Sequence, residues 1–176
     1  MYEVEIKILG IDRKKTEEDL ISLGAVKVFD GDIHALYYDS ADNAIQKVRG
    51  AFRLRKEGEK NVLTFKSYVE DGRAKVREEK EVFVSDLDAM KSILKSLGFT
   101  AWLEMKKHRT TYELDGLHFE LDKYLDEYGY IPEFLEIEGK DIETVYRYAG
   151  LLWLGEKDCR PWDAVQVAEY YKEIRP

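Results

Sequence analysis

The stretch Tyr2-Glu3-Val4-Glu5-Ile6-Lys7-Ile8 alternates between apolar and charged side chains. An extended chain sends successive side chains to opposite faces. Val4, Ile6 and Ile8 therefore share one face, and Glu3, Glu5 and Lys7 share the other. Taken alone, such a segment is most simply an amphipathic strand with a solvated charged face. The rest of the chain changes that reading, because later strands repeat the pattern with their charges sorted by sign.

Working outward, Thr16-Glu17-Glu18-Asp19 has the form of a capping box, opening a helix that buries Leu20 and Leu23 and stops at Gly24. A long strand follows over 25–39, ending in Tyr37-Tyr38-Asp39. Ser40-Ala41-Asp42-Asn43 is turn chemistry, and a short irregular or helical piece reaches Gly50. Ala51-Phe52-Arg53-Leu54-Arg55 puts both arginines on one face, and Glu57-Gly58-Glu59-Lys60-Asn61 turns the chain back. The return strand, 62–68, sets Leu63 and Phe65 against Lys66. Glu70-Asp71-Gly72-Arg73 is expected to be a loop, and 77–84 a strand with Glu79 and Glu81 on a common face.

Ser85-Asp86-Leu87-Asp88 forms a second capping box, ahead of a helical period through Leu87, Met90, Ile93, Leu94 and Leu97 to Gly98. Strand 102–114 carries Lys107 and Arg109. Asp115-Gly116 is a hairpin signal leading into 117–122, where Leu117, Phe119 and Leu121 oppose Glu120 and Asp122. A tyrosine-rich loop over 124–132 either covers one end of the fold or forms a dimer contact. Phe134-Leu135-Glu136-Ile137-Glu138 repeats the glutamate pair of the first strand. A short helix begins at Asp141, and a final helix is expected over 162–174 with Pro161 near its first position. Trp102, Trp153 and Trp162 are expected in the core. His34, His108 and His118 are scattered and read as surface or satisfied histidines rather than ligands.

The 176 residues suit a single domain, 1–176, large enough for a sizeable core. A formal net charge of -8 argues against bulk binding of nucleic acid or an anionic membrane. Cys159 stands alone, so neither an internal disulfide nor a cysteine-built metal site is available. The amino terminus lacks an apolar signal core, and no stretch approaches the roughly 20 apolar residues that cross a bilayer. A soluble, cytoplasmic protein, monomer or homodimer, is the expectation.

Charged pairs at i, i+2 spacing oppose apolar faces at Glu3/Glu5/Lys7, Arg53/Arg55, Glu79/Glu81, Lys107/Arg109, Glu120/Asp122 and Glu136/Glu138, with Lys66 as a single member. Each like-charged pair repels itself unless an opposite charge lies beside it. A closed antiparallel barrel resolves this by holding both signs on its inner face. Clustered carboxylates suit Mg2+ or Mn2+, and arginine forks and lysines suit phosphate oxygens. The sorted charges therefore point to a metal-bound polyphosphate.

Glu3-x-Glu5-x-Lys7, followed in order by Arg53-x-Arg55, Lys66, Lys107-x-Arg109, Asp122 and Glu136-x-Glu138, resembles the ExExK signature and charged series of the CYTH superfamily, the triphosphate tunnel metalloenzymes. The resemblance implies an α+β fold, an eight-stranded antiparallel β-barrel or triphosphate tunnel with helices packed outside. It implies that Glu3, Glu5, Asp122, Glu136 and Glu138 hold metal, and that Lys7, Arg53, Arg55, Lys66, Lys107 and Arg109 bind the triphosphate. Glu120 either joins the metal ligands or orients a lysine. Glu79 and Glu81 read as partners of the bases, with metal ligation the alternative. Lys7 and Tyr37 are the catalytic candidates, since Tyr37 matches a tyrosine that sits beside the signature lysine in some triphosphatases; barrel packing is its other reading.

The expected activity is metal-dependent chemistry on inorganic triphosphate, thiamine triphosphate or a nucleoside triphosphate, with hydrolysis ahead of cyclisation to cyclic AMP and pyrophosphate by a class IV adenylyl cyclase. A binder of polyphosphate or nucleotide without turnover is the remaining alternative. Five carboxylates exceed what simple anion binding requires.

Overall fold

Strand β1 (Tyr2–Leu9) is the seam on which the sheet closes. A computed structural model describes residues 2–174, with the side chains of 70 and 71 outside the description. Residues 2–5 of β1 pair with β5 (Lys75–Phe83), with Tyr2 opposite Glu78 and Glu5 opposite Lys75. Residues 4–9 pair with β8 (Phe134–Gly139), with Lys7 opposite Glu136. Between those neighbours the sheet runs through β4 (Lys60–Asp71), β3 (Ala51–Glu57), β2 (Val26–Asp39), β6 (Thr100–Leu114) and β7 (Leu117–Tyr124). Every pairing is antiparallel. Eight strands thus form a closed barrel, and a short β9 (Cys159–Arg160) takes the edge of β1 at Lys7 and Ile8 that β5 leaves free. Closure removes the exposed edges of an open sheet.

Alternation decides the two faces. Val4, Ile6 and Ile8 point out of the barrel into a core shared with Phe119, Leu121, Leu135 and Ile137, covered by α4 (Ile142–Leu151) through Val145, Tyr148 and Ala149. Burying each such aliphatic side chain contributes about 1.5–3 kcal/mol. A second cluster seats α5 (Ala164–Glu173) through Val167 and Ala168 on Met105, Tyr124, Ile131 and Phe134. A third packs α3 (Leu87–Ser96) through Leu94 onto Tyr38 and Leu54. Helices α1 (Arg13–Ser22) and α2 (Ala44–Lys47) complete the outer layer.

Several boundaries differ from the sequence expectation. Helix α1 starts a turn earlier, because Asp12 rather than Thr16 is the cap: its carboxylate accepts from the Lys15 N–H at 3.1 Å, leaving Thr16 to bond back to the Asp12 carbonyl. Asp86, not Ser85, caps α3 by accepting from Asp88 and Ala89. Asp163 caps α5 in a capping box with Gln166, so Pro161 lies outside that helix. The loop expected at 70–73 shrinks as β4 reaches Asp71 and β5 begins at Lys75. Trp153 is 84 % exposed on a left-handed turn after α4, and Trp102 is 43 % exposed, so neither is a core residue; Trp162 packs at the edge of the α5 cluster.

Candidate active site

The inner face of the barrel surrounds a cavity of about 1030 Å3. Its wall carries Glu3, Glu5 and Lys7 from β1, Arg53 and Arg55 from β3, Lys66 from β4, Glu79 and Glu81 from β5, Lys107 and Arg109 from β6, Glu120 from β7, and Glu136 and Glu138 from β8. The i, i+2 pairs read from the sequence, Asp122 apart, line one closed wall, where Lys7, Arg55, Lys66 and Arg109 each stand beside a carboxylate.

Lys7 bridges two carboxylates, Glu5 at 3.1 Å and Glu136 at 2.8 Å. Burial alone would favour its neutral form, but Glu136 and Glu5 hold the ammonium well above its ordinary range. Burial likewise works against Glu5, yet Lys7, Lys75 and Lys66 keep its carboxyl well below the usual range. Lys66 donates to both oxygens of Glu3, at 2.7 and 2.6 Å, and stands 3.6 Å from Glu79. Burial nevertheless raises Glu3 well above the usual range, with Glu5 adding repulsion. Arg55 meets Glu81 at 3.2 Å and Glu57 at 3.2 Å. Glu79 and Glu81 thus stand beside bases.

Asp122 is fully buried and lies outside the cavity lining. Its oxygens accept from Arg109 Nε and Nη2, both at 2.6 Å, and from Lys107 Nζ at 2.6 Å. Burial opposes its charge, but Arg109 and Lys107 bring its carboxyl down to about 2. The remaining nitrogen of Arg109 contacts Glu120, and Nη2 lies 3.8 Å from Glu136. Tyr37 is enclosed beside Arg53, whose guanidinium stands 5.9 Å from the ring centre. Burial raises a phenol, but Arg53, Lys107 and Lys66 together pull Tyr37 below its ordinary value.

Glu120, Glu136 and Glu138 each aim one oxygen at a common point, all within 4.8 Å of one another. One oxygen of Glu120 is the atom that Arg109 contacts. Burial and the neighbouring Glu120 push Glu138 up to about 8, and burial with Glu136 raises Glu120. Three converging oxygen donors that repel one another fit a hard divalent ion. Glu3 and Glu5 line the same cavity but spend their oxygens on Lys66, Lys7 and Lys75.

Two buried bases of the wall, Lys75 and Arg77, were not singled out by the sequence reading. The signal was present: stepping back from Glu81 and Glu79 by twos reaches Arg77 and then Lys75. His34 meets Glu104 at 2.7 Å, and His108 lies between Asp30 and Asp32 at 2.9 and 2.8 Å. His118 lines the cavity with its Nδ1 4.0 Å from Glu138. Among the described residues, no helix is long and apolar enough to cross a membrane.

The family model for the CYTH domain matches residues 1–157. The Methanocaldococcus jannaschii protein MJ0240, named as a candidate adenylate cyclase, is 33 % identical over 141 residues, covering 78 % of this chain and 77 % of that protein. The PH1012 protein of Pyrococcus horikoshii has a similar structure, with a TM-score of 0.78 at 24 % identity, over 94 % of this chain and 98 % of that one. The Hippeastrum protein HpAC1, a candidate adenylyl cyclase described as having a dominant triphosphatase activity, matches with a TM-score of 0.67 at 18 % identity, over 96 % of this chain and 95 % of that one.

Proposed function

The chain belongs to the CYTH domain family, and on that premise we propose that it is a metal-dependent enzyme that hydrolyses a triphosphate. The observation that carries this reading is the convergence of Glu120, Glu136 and Glu138 in one cavity with Lys7, Arg53, Arg55, Lys66, Lys107 and Arg109. Carboxylates alone would suit a metal and bases alone would suit an anion; a metal-bound polyphosphate requires both.

Glu120, Glu136 and Glu138 hold Mg2+ or Mn2+, with Glu3 and Glu5 on the adjoining wall available once a phosphate draws Lys66 and Lys7 away. The bound ion supplies charge neutralisation at the phosphate oxygens and orients them. Arg53 and Arg55 grip phosphoryl oxygens through their forks, and Lys66 and Lys107 add point charges. Asp122 presents no oxygen to the cavity; it fixes Arg109 and Lys107 in position from behind. Lys7, kept charged by its two glutamates, acts as a hydrogen-bond donor to the phosphoryl group in flight and not as a base. Tyr37 donates its hydroxyl hydrogen bond toward the departing oxygen, next to Arg53.

In the reaction a water oxygen bonds to the terminal phosphorus, the bridging phosphorus–oxygen bond breaks, and the water proton passes to solvent or a wall carboxylate. The protein's contribution is position and charge, as is usual in phosphoryl transfer. Hydrolysis needs only the grip and a positioned water. Cyclisation also needs a ribose 3′-hydroxyl held in line with the α-phosphorus; the name of the 33 % identical relative is what favours that second reading.

The test is incubation with inorganic triphosphate, thiamine triphosphate and ATP in Mg2+ or Mn2+, followed by separation of products. Inorganic phosphate as the main product supports hydrolysis. Cyclic AMP and pyrophosphate in equal amounts from ATP would replace it with cyclisation.

A further inference from the structure

The three histidines of the chain differ in how their rings are satisfied. His34 meets Glu104 at 2.7 Å, and His108 lies between Asp30 and Asp32 at 2.9 and 2.8 Å. Neither lines the cavity. His118 does, and among the described residues its ring makes no hydrogen bond. Its charged neighbour is Glu138, with 4.0 Å between Nδ1 and Oε1, and 46 % of its side chain is exposed. A ring nitrogen with an open lone pair is a common metal ligand.

The register shows what His118 stands beside. Strands β7 and β8 pair His118 with Glu138 and Glu120 with Glu136. All four residues line the cavity, so they occupy the corners of one square on its wall. Directly opposed positions have Cβ atoms about 4.5–5.5 Å apart. Glu120, Glu136 and Glu138 bring oxygens within 4.8 Å of one another, and the fourth corner is the imidazole. Two donors held by one ion at about 2.1 Å each lie at most about 4.2 Å apart. The 4.0 Å between His118 and Glu138 meets that limit, and the half-exposed ring has room to turn toward the other two corners.

We infer that His118 is a further ligand of the divalent ion held by Glu120, Glu136 and Glu138, and that its imidazole tilts the site toward first-row transition ions and away from Mg2+. The inference rests on the reading of those glutamates as a metal site and deepens it. Mg2+ takes oxygen donors and keeps much of its water, whereas affinity for a nitrogen donor rises from Mn2+ to Co2+. A loss concentrated on the ions that accept nitrogen is therefore the signature of this ligand. A residue that only altered the charge around Glu138 would affect every divalent ion alike.

The test is calorimetric titration of the full chain and of His118→Ala with Co2+, Mn2+ and Mg2+, together with the visible absorption of bound Co2+. The variant should lose about tenfold in Co2+ affinity, a smaller factor for Mn2+ and less than about twofold for Mg2+. The Co2+ bands should shift as a nitrogen donor is lost. His118→Gln, which keeps polarity but offers no ring nitrogen, should behave in the same way, and melting curves of both metal-free variants check that the fold is intact. His34→Ala and His108→Ala should keep the wild-type affinities. Unchanged Co2+ affinity or an unchanged Co2+ spectrum in His118→Ala overturns the inference, as does an equal loss for all three ions. A Co2+ loss of the same size in either control also overturns it, because the ion would then sit on the outer surface. If wild type binds none of the three ions, the metal reading beneath the proposed function falls, and this inference with it.

Discussion

Arg109 and Asp122 sit opposite each other on β6 and β7 and form a two-pronged pair, with Nε and Nη2 each donating to a separate carboxylate oxygen at 2.6 Å. The pair fixes the plane of the guanidinium, so its remaining nitrogen is directed at Glu120 and its edge at Glu136. Asp122, which reads as a metal ligand in the sequence, gives its oxygens to Arg109 and Lys107, and this supports the proposal that it holds those bases in place.

Asp122→Asn should therefore act on the phosphate grip more than on the metal. The amide removes the charge beneath Arg109 and Lys107 while keeping size. Breaking one partner of a buried pair costs roughly 3–5 kcal/mol. The expected result is a lower midpoint in denaturant and a weaker affinity for triphosphate, with Mn2+ affinity changed far less. Calorimetric titration with each ligand separates the two; an equal loss of Mn2+ affinity would make Asp122 a ligand after all.

Glu138 gives a pH dependence with a definite sign. Its folded-state value of about 8 lies above its ordinary 4.5. Between those values the folded state binds the extra proton, so the stability of metal-free protein should fall as pH rises from about 4.5 to about 8. Glu138→Gln should flatten that slope. Melting temperatures in chelator across this window check it, and a wild-type slope of the opposite sign, or one the variant retains, would contradict the assignment of cause.

Much of this site was legible because alternation fixes a face. The inner positions of β1, β3, β7 and β8 follow from parity once Val4, Ile6, Phe119 and Ile137 are placed outside. Parity does not give depth or partners. It could not tell that Asp122, on the face of Glu120, stops short of the cavity under Arg109. Lys75 was hidden because Asp71-Gly72-Arg73 looked like the end of order, whereas cross-strand pairing carries β4 and β5 further. Trp153 misled because its size argues for burial, while the chain turns outward there with a positive φ of 62°. Strand β9, two residues long, has no period to detect and exists because β1 leaves an edge open.

Ligand linkage should be visible as thermal stabilisation. A ligand at one hundred times its Kd that binds only the folded state adds about 2.7 kcal/mol. Triphosphate with Mg2+ or Mn2+ should raise the melting temperature clearly more than sodium chloride at matched ionic strength. Equal shifts would reduce the effect to screening of the crowded wall.

Tyr37→Phe keeps the ring beside Arg53 and Trp102 and removes only the hydroxyl. If the hydroxyl assists the departing oxygen, kcat should fall by about 100-fold with KM little changed. An unchanged kcat would leave Tyr37 as packing.

The central claim is that converging glutamates hold the ion needed to hydrolyse a triphosphate held by the opposing bases. The most direct measurement is phosphate release from inorganic triphosphate by wild type and by Glu136→Gln/Glu138→Gln, each with Mn2+ and with chelator, alongside melting curves of both. The account predicts phosphate release by wild type only with metal, none from the double variant under either condition, and a folded but less stable variant, since loss of the Glu136–Lys7 pair outweighs the repulsion relieved at Glu138. Near-normal, metal-dependent turnover by the folded double variant would contradict it.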